Sequence, residues 1–138
     1  MAQAFLKTGH DTEALNELRQ AVRLAPDNFQ ILTLSATVLA ASQDAGVRDG
    51  QTALMLAFKA NDLTGHMQPM VFDAMGMACA EQGDFTNAQA CAETAINLAT
   101  RLGMKNLSPF RDRLERYKNH QPWRESFRDP ETTTPGGN

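Results

Sequence analysis

Glu81–Leu98 reads EQGDFTNAQACAETAINL, and this stretch decides the fold. It is the end of one helix, a tight turn at Gly83-Asp84, and a second helix with Ala88, Ala92 and Ala95 at fixed intervals. The same grammar recurs in GHDTEALNELRQAVRLAPDN, from Gly9 to Asn28. In each copy a Gly precedes an Ala by 5 residues, a second Ala follows 7 later, and a Leu comes 3 after that. A shared spacing of this kind marks an internal repeat whose unit is a helix pair.

Working outward, the other elements have the same period. Ala2–Lys7 reads as the last turns of a helix without its beginning, stopped by Gly9, with Asp11 or Thr12 expected to cap the next helix. That helix runs to about Leu24, and Pro26 forbids its continuation. Helices follow over about Phe29–Ser42 and Asp49–Leu63, joined by the longer connection SQDAGVRDG. Asp49 is expected to cap the second of them, and Arg48 to pair with a nearby carboxylate. Pro69 opens a helix whose packing face is Phe72, Met75, Gly76 and Cys79. The last helix, about 108–119, is capped by Ser108 and has one narrow apolar stripe, Phe110, Leu114 and Tyr117. Its Arg111, Arg113, Arg116 and Lys118 alternate with Asp112 and Glu115 and read as a solvated face. Trp123 is expected to fold back onto this helix, and residues 122–138 to form an extended or disordered tail.

Composition agrees with an all-α chain. Ala, Leu, Gln and Glu are abundant while Val, Ile, Tyr and Trp are scarce, and no alternating strand pattern stands out. A hydrophobic content of 42% excludes disorder throughout. The formal net charge of −3 argues against nucleic acid or an anionic membrane as the main partner. No apolar run approaches a membrane span, so direct membrane insertion is not expected. The N-terminus MAQAFLKTGHD is too short and polar for a secretory signal, which leaves cytoplasmic and periplasmic placements both open.

Aligned on Ala14, Ala53 and Ala88, the units are spaced by 39 and 35 residues. The spacing and the residues resemble the tetratricopeptide-repeat family, whose period is about 34. Phe72, Met75, Gly76 and Cys79 look like its first helix, Ala88, Ala92 and Ala95 like its second, and Leu18, Ala21 and Pro26 like its close. Two departures stand out: Arg48 replaces the turn glycine of the middle unit, and Thr100 the closing proline of the third. The resemblance implies a right-handed α-solenoid of about three helix-turn-helix units plus a C-terminal capping helix. The repeat array spans 1–121, with units at about 1–28, 29–67 and 68–104. VRDGQTALMLAFKANDLTG, the third repeat and PWRES also look like the C-terminal repeat segment of large bacterial proteins of this family. With the shortened first helix, this leads to the expectation of a piece from a longer protein.

The resemblance further implies a protein-interaction module without catalysis, binding a peptide or protein segment on the concave face. The candidate contact residues are Thr33, Thr37, Met70, Asp73, Met77 and Glu81, with Met70 and Met77 offering an adaptable apolar wall beside an acid. The Lys, Arg and Asn clamp by which chaperone-binding members hold a terminal carboxylate is missing, since Gln3, Leu34, Met70 and Ala74 stand in its places. Met70 and Met77 could equally pack against the neighbouring repeat. Two alternatives are a structural end-cap or spacer of a larger protein, and self-association through the open face of the first repeat around Phe5 and Leu18.

No catalytic group, cofactor or metal site is expected. No nucleophile-base pair or phosphate loop is present, and SQDAGVRDG lacks the ligand series of a calcium loop. His10, His66 and His120 sit in separate connections. Cys79 and Cys91 are placed to face each other across a helix pair, as buried thiols rather than a bridge.

Overall fold

A computed structural model describes residues 2–127. Seven helices make up the fold of these residues, with no strand among them: α1 Ala2–Lys7, α2 Asp11–Leu24, α3 Phe29–Ala41, α4 Gly50–Leu63, α5 Pro69–Glu81, α6 Phe85–Arg101 and α7 Ser108–Lys118. Sequence and structure agree on the element boundaries to within about a residue, as helix ends allow. Successive helices pack pairwise as an α-helical repeat solenoid, and α5 touches α3, α4 and α6.

Local chemistry explains most of the ends. Asn28 Oδ1 accepts from the backbone N–H groups of Gln30 and Ile31 at 3.0 and 3.1 Å. Asp49 Oδ1 accepts from Thr52 N–H at 3.1 Å and Asp84 Oδ1 from Asn87 N–H at 3.2 Å. These bonds satisfy donors that a helix start leaves unpaired. The Thr52 hydroxyl also donates to Asp49, and together these bonds hold its carboxyl below the usual range. Gly83 reverses the chain between α5 and α6 at φ +80°, a conformation that costs other residues strain.

Two expected caps are corrected. Asp11 is the first residue of α2, and its position leaves the N-cap to His10, which makes no side-chain cap bond. Asp11 Oδ2 instead accepts from Ser42 Oγ at 2.6 Å, tying the first unit to the end of α3. Leu107, not Ser108, is the N-cap of α7. The open face expected around Phe5 and Leu18 is also corrected: Leu18 is 3% exposed and part of the core, with Phe5 half-buried against it.

The core falls into three adjoining clusters along the stack, where small residues let helices approach. Ala88, Ala92 and Ala95 are all essentially buried on α6. Opposite them, a Cβ on Gly76 would lie 3.3 Å from the Ala88 carbonyl oxygen and 3.4 Å from both Cys91 and the Tyr117 ring. Ten of the thirteen residues of α5 are buried, so it is enclosed on nearly every side, as a central helix should be. Cys79 is buried and Cys91 half-buried, and both are free thiols. The hydrogen bond between them, with burial, pushes the Cys91 thiol up.

The close approach at Gly76 is testable. Gly76→Ala gains roughly 1 kcal/mol of helix propensity but sets a methyl against backbone. We expect a net loss of about 1 kcal/mol in urea unfolding, and about 3 kcal/mol or more for Gly76→Val. A Gly76→Ala protein more stable than the parent would contradict the packing described.

Candidate interaction groove

The groove is built on α5. Met70, Asp73 and Met77 lie on one face of this helix, and α3 contributes Thr37 beside them. Across from α3, α7 contributes Pro109 and Arg113, and the chain beyond α7 contributes Glu125, Ser126 and Phe127. Together they line a mostly apolar cleft of about 350 Å³.

Four of the six candidate residues, Thr37, Met70, Asp73 and Met77, line it, and Thr33 and Glu81 do not. Met70 is 54% exposed on the rim. Met77 is buried, so only its inner wall belongs to the cleft. Thr33 and Thr37 are half-buried, and their hydroxyls donate into their own helix, to Phe29 O at 2.7 Å and Thr33 O at 3.0 Å. Thr33 does not line the cleft. Glu81 lies at the far end of α5, where Arg48 Nε approaches at 3.3 Å and Arg124 Nη1 at 2.8 Å.

Asp73 is not a free acid. Arg113 of α7 donates to both its oxygens, Nε to Oδ1 at 2.6 Å and Nη2 to Oδ2 at 2.7 Å, and both side chains are buried. Burial pushes the Asp73 carboxyl up, and the guanidinium opposes that shift. The solvated reading of Arg113 is thereby corrected. It occupies the apolar stripe of α7 between Phe110 and Tyr117, where its planar fork meets Asp73, the buried acid of α5. Tyr117 is buried too, and burial pushes its phenol up.

The segment after α7 was missed as part of the site. His120, at φ +56°, turns the chain back, its ring stacked on Phe85 at 5.3 Å. The Arg113 guanidinium then lies 5.2 Å from the Trp123 ring centroid and 5.8 Å from that of Phe110. Trp123 Nε1 donates to Glu125 Oε1 at 2.8 Å, and the same oxygen is 3.8 Å from Arg113 Nη1. Glu125 N–H donates to Ala41 O at 2.8 Å, in a parallel bridge with Ser42. Arg48 Nη1 also donates to Ser42 O at 2.8 Å. The segment therefore crosses the groove from α7 to the end of α3 in extended form. Trp123 and Phe127 are half-buried against the core. The tail expected over 122–138 is thus extended and docked as far as 127, and its remainder lies outside the described residues.

Among the described residues no group of three or more His, Cys, Asp or Glu is placed to hold a metal ion. No helix among them is long and apolar enough to cross a membrane.

Removing Arg113 leaves Asp73 buried without a partner. Arg113→Ala should cost about 3–5 kcal/mol in chemical unfolding. The double substitution Asp73→Leu with Arg113→Met should recover most of that loss. It should also release the tail, red-shifting the emission of Trp123, the chain's single Trp. A double variant as unstable as Arg113→Ala, or one with unshifted emission, would contradict this assignment.

The tetratricopeptide-repeat family model matches residues 1–28 and 71–101, which hold α1–α2 and α5–α6. No curated protein matches the chain. The unit between the matched stretches, α3–α4, packs against both α2 and α5 and continues the same stack. With two stretches matched and a third helix pair joining them in one solenoid, the chain is related to the tetratricopeptide-repeat family.

Proposed function

We propose that this chain is a non-catalytic interaction module that binds a protein or peptide segment in the groove lined by α3, α5 and α7. Repeats of this family generally mediate protein–protein interaction. The observation that carries the reading is that these helices already hold an extended segment beside the cleft. An extended segment, Trp123–Phe127, is laid along one side of it and forms part of its wall, held by one backbone hydrogen bond, an aromatic-guanidinium contact and charged side chains. These are the means by which a groove holds a peptide. The exposed rim beside it is Met70, a flexible apolar side chain suited to adaptable contact.

A second reading, a terminal segment that closes a longer repeat array, is favoured by the outer face of α7. There Arg111, Asp112, Glu115, Arg116 and Lys118 are exposed, the polar surface expected of a terminal cap.

Met70→Glu separates the two. Its side chain is exposed, so the helical circular dichroism and melting temperature should stay as in the parent. Partner capture in a pull-down from the native host should fall by about tenfold, on the order of 1.4 kcal/mol. Capture unaffected by Met70→Glu would remove the groove reading and leave the terminal-cap reading.

A further inference from the structure

The residues that hold Trp123–Phe127 belong to two groups of different permanence. The floor of the site is the Asp73–Arg113 pair, whose side chains are 4% and 8% exposed and whose two short bonds join α5 to α7. Phe110 already covers one part of that guanidinium. Beside this floor, Ala41 presents a carbonyl to the tail, and Arg48 holds Glu81 at the groove's end. All of these groups belong to the helices and their connections rather than to the tail.

The contacts made by the tail itself are of a weaker kind. The Arg124–Glu81 pair is partly exposed on both sides, and the Glu125 side chain is 34% exposed. Exposed ion pairs of this sort contribute little. One backbone bond, from Glu125 N–H to Ala41 O, fixes the register. Residues 122–127 are at most half-buried. The tail is seated, but nothing in its seating is beyond the reach of a competing chain.

The chemistry of that seat is specific. An aromatic face on the Arg113 guanidinium gains a cation–π contact, and an indole there can also donate to the acid two residues on. A carboxylate at that second position faces Arg113 Nη1, whose charge Asp73 only partly satisfies. An extended backbone at the same residue donates to Ala41 O. Only the aromatic-x-acidic spacing places all three together.

We propose that the seat of Trp123–Phe127, on Arg113 and the Ala41 carbonyl at the side of the groove, is a receptor for an extended peptide carrying an aromatic residue two positions before an acidic one. Trp123–Phe127 is its resident occupant, which such a segment of another protein displaces. This rests on the groove reading above and adds to it the partner's chemistry and a built-in competitor. Because the competitor is tethered, its effective concentration is high, and it raises the threshold for any ligand in trans.

The test uses the full chain and a fluorescein-labelled hexapeptide with the sequence of Pro122–Phe127, PWRESF. The protein carries Trp123→Ala and Glu125→Ala to weaken its own tail, with its helix signal and melt checked against the parent. By fluorescence polarisation the peptide should bind this variant at least about tenfold more tightly than the parent. A peptide with Ala in place of the acid should lose about tenfold or more. If the double variant fails to hold its fold, Arg124→Glu loosens the tail from Glu81 and should give the same direction of change. No saturable binding to a folded tail-weakened chain would overturn the proposal, as would equal affinity for parent and variant. A parent dimer in sedimentation that the tail substitutions dissolve would also overturn it, by making the occupant a second copy. Any of these failures, with capture still sensitive to Met70→Glu, would leave the groove reading standing and remove only the ligand chemistry.

Discussion

The buried pair of Asp73 and Arg113 is the constraint on which the groove depends. It reaches from the centre of α5 to the middle of α7, 40 residues apart in sequence, and is the bond that sets how the last helix faces the stack. A buried pair of this kind contributes little net stability against a well-packed apolar alternative, since two charges must leave water to form it. What it supplies is position. A cation held in the floor of the groove cannot turn away, and so it presents a fixed charge and a fixed planar surface to whatever lies above.

From that position the rest follows. Trp123 lies on the guanidinium, and the Trp123 indole and Arg113 both face Glu125. The backbone of Glu125 then reaches Ala41, and Arg124 reaches Glu81. Ser42, next to Ala41, receives Arg48 on its carbonyl and donates its hydroxyl to Asp11. Polar contacts thus run through all three helix pairs, the capping helix and the tail, along a stack that is otherwise held by alanine-rich packing. The repeat units stack through small residues that specify close approach, while these longer-range polar contacts fix the groove.

The fold was legible in the sequence because repeat packing uses residues with one reading. Ala88, Ala92 and Ala95 at helical spacing can only be a close-packed face, and Gly83 followed by Asp84 can only be a turn into a capped helix. The groove was legible in part. Met70, Asp73 and Met77 come to one face because they share α5, a matter of spacing alone. What α7 contributes was hidden by composition, since an Arg among Arg, Asp and Glu reads as solvated. A signal was present nonetheless. Arg113 falls on the same stripe as Phe110, Leu114 and Tyr117, and Asp73 is the only charged residue inside the apolar run of α5. A charge on each of two buried faces calls for a partner, and these two have one another. Of the docked tail only Trp123, expected to fold back onto α7 and found on its Arg113, had a signal. Its six residues carry no periodicity, and its register depends on a carbonyl, that of Ala41, which any residue would offer.

Amide hydrogen exchange at Glu125 tests most directly whether the tail is held in the groove by the Asp73–Arg113 floor. The N–H bonded to Ala41 O should exchange at least about a hundredfold more slowly than an unstructured amide, and Asp73→Leu with Arg113→Met should abolish that protection while α5 remains protected. A Glu125 amide that exchanges in the parent protein as fast as a free chain would contradict the account.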